Sequence, residues 1–393
     1  MAKYLLGIII ALVTIGCSGS EPGTPTVQSA EAQADQSAPH SATGFEDEEE
    51  EQSSATFTQA EIDDFIKVYP QIKQARMMNR WLEDNTPGTF AFSGLVDPND
   101  QTVVSPQATV DYGYNWFSLS DGPAIISAPA YDKFFSVAIY DMFHNVPAVI
   151  VNPEKPIIVL RPGQTAPDID AHIVPLETDQ GLIFTRMLVV DNLADVRALS
   201  EEITMQGGGG DMSYALDPVP DGLEAATEAY LFGEYQRLNA LGSLDDGAIP
   251  KVSGDVPSNY LAIAVMIGQL ATPSDSVQYW LALTDKDGQP IDPSKTYRLD
   301  VPAGLVEESG YISITPYNAQ TRFLIPNELG IYDRTSYTME ANADGSYSVI
   351  LSPEGSGQNG LPTSGVPFYV LLRAYVPVDG ANVEATLSEM ANP

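Results

Sequence analysis

Thr58-Gln59-Ala60-Glu61 sets a hydroxyl three positions ahead of a carboxylate, the pattern of a capping box, and Ile62, Phe65, Ile66, Ile72, Met77 and Trp81 follow at helical spacing. The pattern predicts a helix from there to about Glu83, kinked or divided at Pro70. From Thr102 to Arg161 the period shortens to β-type runs separated by turn residues, with strands over 124–127, 134–140 and 157–160. A further strand is predicted over 182–190, then a short helix near 194–204 and a flexible joint at the four glycines 207–210. Helices over 221–242 and 260–270 come next; the first carries Leu223, Ala226, Tyr230, Leu231, Tyr235 and Leu238 on one broad face. The rest is strand-rich. Two hairpins are predicted, 279–283 with 297–301 around Asp287-Gly288, and 337–340 with 347–351 around Asp344-Gly345, because Asp-Gly supplies the positive φ that tight turns need. A near-continuous apolar strand over 368–375 closes the segment.

The first 17 residues, MAKYLLGIIIALVTIGC, are of another kind. Lys3 precedes an apolar run too short to span a bilayer, which ends in Thr14-Ile15-Gly16 with Cys17 directly after it. This resembles a bacterial lipoprotein signal peptide, whose cleavage leaves Cys17 as a lipid-modified N-terminus. Acyl chains would then moor the protein at about 0.8 kcal/mol per buried CH₂. Ser18 stands where an Asp would resemble an inner-membrane retention signal, so the expected location is the cell envelope, as an outer-membrane lipoprotein facing the periplasm or the cell surface. Residues 18–56 carry nine acidic residues and no basic one, including the run Glu46-Asp47-Glu48-Glu49-Glu50-Glu51, and read as a disordered acidic tether.

Charge narrows the function classes. Over the full 393 residues the formal charge is −35, and residues 57–393 alone hold 17 basic and 44 acidic residues. Such a field repels phosphate backbones and argues against nucleic acid as a partner. The one Cys excludes an internal disulfide framework and a four-Cys zinc site. With 31 Gly and 30 Pro, a turn-rich β protein fits better than a helical bundle.

Several segments resemble named families. Residues 297–302, 311–322, 342–346 and 367–375, among them Tyr317, Arg322 and Arg373, are similar to domain of unknown function 1214. Val103-Val104-Ser105-Pro106, Leu119-Ser120-Asp121-Gly122-Pro123 and Phe135-Ser136-Val137-Ala138-Ile139-Tyr140-Asp141 resemble its usual companion, domain of unknown function 1254. The resemblance implies an α+β, β-rich fold: two β-sandwich-like (jelly-roll-like) domains, with helices packed at the N-terminus and between them. The expected boundaries are a 1254-like domain over 57–206, a helical segment over 207–272 and a 1214-like domain over 273–393. The resemblance implies no reaction. Where relatives carry Asn-x-Asp-Thr before a tyrosine, this chain has Gln107-Ala108-Thr109-Val110. Ser118 and Asn359-Gly360 likewise replace the usual polar and aromatic residues.

Candidate chemistry is sparse. No Gly-x-Ser-x-Gly elbow occurs, and His144 and His172 are the imidazoles of the body. A hydrolase-type enzyme acting on a small or envelope-derived substrate would draw first on Asp141, His144 and Arg186. A metal site from His144, His172 and a carboxylate has no spacing motif behind it, Asp285-Lys286-Asp287-Gly288 lacks the terminal Glu of a calcium loop, and neither metal nor cofactor is expected. Arg186 and Arg322 fall in or beside strands, where an unpaired guanidinium is costly. Each either pins the domains through a salt bridge or grips a ligand carboxylate or phosphate. Tyr112, Tyr114, Trp116 and Phe117 form an aromatic stripe that is either core or the wall of a cleft. The leading expectation is a binding or interaction module for an unknown small-molecule or envelope ligand, with Tyr112, Trp116, Asn145 and Arg322 as binding residues. A purely structural envelope role is the third reading.

Overall fold

Helix α1 (Gln59–Leu82) starts at the capping box: the Thr58 Oγ1 accepts from the Glu61 N–H at 3.3 Å, and the Thr58 N–H donates back to the Glu61 carboxylate at 2.7 Å. It runs through the buried Pro70 as one helix, so of the kink or division expected there the division does not occur. The computed structural model describes residues 56–99, 104–240 and 249–390. The leader, Cys17 and the acidic tether lie outside the described residues.

The described strands form four sheets. The first is antiparallel, in the order β1 (Ala91–Gly94), β2 (Val110–Ser118), β8 (Gln180–Leu188), β4 (Phe135–Asp141), β5 (Ala148–Val151). The second runs β7 (His172–Pro175), β6 (Ile157–Leu160), β3 (Ala124–Ser127), β9 (Thr204–Gln206). Their facing sides bury Phe117, Phe135, Val137, Ile139 and Ile183 against Ala124, Ile126, Ile157, Val159 and Val174. Alternate residues of each strand thus fill a sandwich core. Helix α2 (Leu193–Ser200) closes one end through Val196.

The C-terminal half repeats the plan. One sheet runs β10 (Val277–Ala282), β16 (Phe368–Pro377), β12 (Val306–Asn318), β13 (Arg334–Thr335), and the other β15 (Leu361–Pro362), β14 (Tyr347–Ser352), β11 (Tyr297–Val301), β17 (Leu387–Glu389). Tyr297, Leu299, Ile312, Ile314, Val349, Leu351, Val370 and Leu372 pack between them. Both expected hairpins are corrected here. β10 pairs with β16, and β11 with β14 and β17, so the chain changes sheets around Asp287-Gly288. Residues 337–340 form no strand. The Asp-Gly turns exist, with Gly288 and Gly345 at φ +73° and +83°, but sandwich closure decides the partners.

Helices α3 (Leu223–Ala240) and α4 (Ser258–Ile267) pack on the N-terminal part of α1 through Phe65, Tyr69, Leu231 and Ile263. The glycines at 207–210 are no flexible joint. Gly208 O accepts from Ser118 N at 2.8 Å, and a Cβ on Gly207 would lie 2.6 Å from Pro123 O, so the absence of side chains permits close backbone approach. No helix among the described residues is long and apolar enough to cross a membrane.

Candidate inter-domain site

Side-chain alternation puts Tyr112, Tyr114 and Trp116 of β2, Leu182, Phe184 and Arg186 of β8, and Ala138 and Tyr140 of β4 on the outer face of the first sheet. Arg186 sits opposite Tyr112 on one side and Ser136 on the other. Helix α1 covers one end of this face: Trp81 lies 4.0 Å from the Tyr114 ring, and Ala75 and Met78 pack beside Trp116. The other end meets the outer face of the β10–β16–β12 sheet. Phe134 packs 4.9 Å from Tyr311 and 5.1 Å from Tyr375, joined by Leu188 and Val277.

Next to that apolar contact the two faces present guanidinium and hydroxyl groups. Arg373 belongs to β16 and is paired in register with Tyr279 and Ser313. It reaches into the first domain, where Nη2 donates to Ser105 O at 2.7 Å and Nη1 to Gln107 Oε1 at 3.2 Å, while Nη2 also donates to Tyr317 Oη on the neighbouring β12 at 2.9 Å. Gln107 in turn donates from Nε2 to Asp333 Oδ2 at 2.6 Å, and Thr109 donates to the same oxygen at 2.8 Å. One amide therefore relays Arg373 to a carboxylate. Burial pushes Asp333 up to about 6.

Arg186 is treated differently. It keeps 9% exposure, lies 4.2 Å over the Phe184 ring, donates from Nη2 to Leu270 O at 2.6 Å, and has the Tyr140 hydroxyl within hydrogen-bond reach. Its charge lies within reach of the Tyr140, Tyr112, Tyr279 and Tyr375 hydroxyls. Burial raises Tyr140, Tyr112 and Tyr375 above their ordinary value, so at neutral pH these are uncharged groups. No salt bridge to Arg186, Arg322 or Arg373 occurs among the described residues, which corrects the expectation that a carboxylate pins Arg186 and Arg322. A guanidinium keeps its proton at any working pH, so Arg186 is a buried charge surrounded by dipoles. Tyr112 and Tyr279 are only part-buried.

The other candidates go elsewhere. Asp141 closes the turn after β4: its Oδ1 accepts from the backbone N–H of Phe143 and Asn145, both at 2.9 Å, and Oδ2 from Asn145 Nδ2 at 2.7 Å. Burial raises it to about 6 despite those donors. His144 is fully buried in the same turn at φ +68°; Nδ1 donates to Gln74 Oε1 at 2.9 Å, Nε2 has no partner, and burial lowers it to about 4. Asp141 pairs with Gly181 and Arg186 with Ser136, so five strand positions, about 17 Å at roughly 3.4 Å each, separate the carboxylate from the guanidinium. The three residues named for hydrolysis do not converge. Asn145 borders a separate pocket of about 250 Å³ with Gln71, Phe143 and Ser253. Trp116 is core, 3% exposed, with Nε1 unpartnered. Arg322, at φ +64°, donates from Nη1 to Ile267 O at 3.5 Å and neighbours Tyr369 beyond Arg373. His172 lies on β7 of the second sheet while His144 is in the turn after β4 of the first, and no group of three or more His, Cys, Asp and Glu side chains gathers among the described residues.

Tyr112 and Arg186, named from the sequence as binding and first-to-test residues, fall on this inter-domain face, whereas Gln107, Tyr279, Asp333, Arg373 and Tyr375, which share it, were not named as candidates. The available signal was the alternation Tyr369, Leu371, Arg373, Tyr375, which puts a cation and two phenols on one face of a strand that otherwise reads as apolar.

The fold and this inter-domain face define a two-sandwich α+β, β-rich protein. The chain pairs two domains of families that carry no assigned activity: the model described as Protein of unknown function (DUF1254) matches residues 87–207, and Protein of unknown function (DUF1214) matches 276–379. Among solved structures, the VPA0106 protein from Vibrio parahaemolyticus superposes with a TM-score of 0.66 at 19% identity, over 84% of this chain and 99% of that one, and so shares the fold. An uncharacterized protein from Burkholderia cenocepacia aligns over 86% of this chain and 91% of its own, at 14% identity and a TM-score of 0.45. No curated protein matches the sequence.

Proposed function

We propose that this is a lipid-anchored envelope protein, moored through Cys17, whose cleft between the two sandwiches binds a small molecule. The observation that carries the reading is the character of the inter-domain face. Two sheets meet there partly through arginine, tyrosine and Ser/Thr side chains, and Tyr112 and Tyr279 keep open surface. Ligand sites concentrate at such interfaces, where a few fixed polar groups stand among aromatic walls. The Cys17 anchor rests on the leader sequence, and the negatively charged tether after it would hold the body off an anionic membrane.

Small-molecule profiling of the intact protein, purified natively, tests the binding reading. Wild type should carry a compound that the Tyr112→Ala/Tyr279→Ala variant loses; identical extracts from both would overturn it. For the anchor, Cys17→Ser should release the protein from the membrane fraction, and unchanged retention would refute lipidation.

A further inference from the structure

The two buried arginines differ in one respect that bears on what the cleft takes. Arg373 is satisfied by protein: Ser105 O, Tyr317 Oη and Gln107 Oε1 accept from it, and the Gln107 amide leads on to the Asp333 carboxylate. Arg186 has the Leu270 carbonyl, the neutral Tyr140 hydroxyl within hydrogen-bond reach and an aromatic face, and no carboxylate bonded directly or through an amide among the described residues. A buried cation left in that state destabilises the fold unless something else supplies the charge. Phe184 lies under the Arg186 guanidinium carbon, and the N–H donors not taken by Leu270 and Tyr140 are left for a further acceptor. Tyr112 Oη accepts from Gln107 N at 3.0 Å, so its own proton remains to be given.

Resting on the reading of this cleft as a ligand site, we propose that its occupant is a monocarboxylate, its two oxygens seated edge-on against Arg186, with the Tyr112 hydroxyl as an additional donor. One uncompensated positive charge matches one negative charge. A phosphate dianion would overshoot it, and would be further opposed by Asp333 behind Gln107. The fork of the guanidinium matches a carboxylate with two parallel hydrogen bonds. The remainder of the molecule would then lie beside aromatic side chains, Tyr112 stacked on Phe184 at 5.3 Å and the part-buried Tyr279, which favours an apolar or aromatic tail over a polar one.

Calorimetric titration of the full chain with acetate, benzoate and octanoate, alongside benzamide and inorganic phosphate, tests this. At least one of benzoate and octanoate should bind more tightly than acetate, and phosphate and the neutral benzamide should not compete with it. Arg186→Gln should weaken that carboxylate by about ten- to a hundredfold, the loss of a charge-assisted contact, while Arg186→Lys recovers part of it. Folding of each variant is checked by circular dichroism, and Tyr112→Phe gives a second, milder reading with a smaller loss. Binding of benzamide or phosphate in preference to every carboxylate would overturn the monocarboxylate while leaving a small-molecule cleft in place. Equal carboxylate affinity in wild type and Arg186→Gln would overturn it as well, as would no binding by any of the three acids.

Discussion

Arg186 and Tyr140, side chains from adjacent strands, donate to a single acceptor: the Leu270 carbonyl oxygen, at 2.6 and 2.8 Å respectively. Leu270 sits at φ +67° just after α4, in the segment leading to the second sandwich. The first sandwich thus holds the connecting chain by a cation and a phenol at once. Because the acceptor is shared, neither donor is indispensable to it.

That redundancy predicts a contrast between the two buried arginines. Arg186→Met leaves Leu270 O bonded to Tyr140 and removes an uncompensated charge, so unfolding free energy should change by no more than about 1 kcal/mol. Arg373→Met strips the cationic donor from Ser105 O, Gln107 Oε1 and Tyr317 Oη together, and should cost about 3 kcal/mol. Urea denaturation of the two variants makes the comparison; equal losses would refute the assignment of different roles.

His144 gives a pH signature. Lowered to about 4 in the fold from 6.5, it binds fewer protons there than in the unfolded chain, so its contribution to stability is present above pH 6.5 and is lost as pH falls towards 4. His144→Asn tolerates the positive φ and removes the titration. The stability difference between wild type and variant should shift by about 3 kcal/mol against wild type from pH 7 to pH 4. Asp141 and Asp333, both raised to about 6, act in the opposite direction between roughly pH 4 and 6 and are common to the two proteins. A constant difference across that range would show that His144 is not desolvated.

Gly181 sits on the central strand opposite Asp141, where a Cβ would lie 2.7 Å from Phe117 Cζ and 2.8 Å from Tyr140 O. Gly181→Ala should lower stability by about 1–3 kcal/mol and slow the recovery of native fluorescence on refolding. Thr58→Ala, which removes only the exposed cap of α1, should cost about 1 kcal/mol, and thermal melts of the pair should keep that order.

The sequence by itself determined the local elements, because their causes are local. Thr58 and Glu61 start α1 through bonds three residues apart, and the strands at 124–127 and 157–160 fall where apolar runs are bounded by turn residues. The family resemblance further implied the pairing of the two families, which the matched models bear out, and a β-rich fold, which the structure and its Vibrio parahaemolyticus neighbour share. Tertiary structure alone decided which strands pair. Asp287-Gly288 makes a turn in either topology, and only the gain from closing Leu299 and Val301 against Ile312, Val370 and Leu372 sends β11 to a different sheet from β10. It decided the inter-domain face as well. Arg186 and Arg373 are 187 positions apart in sequence, and their contrast depends on where Gln107, Leu270 and Asp333 arrive, a matter of packing that no local pattern encodes.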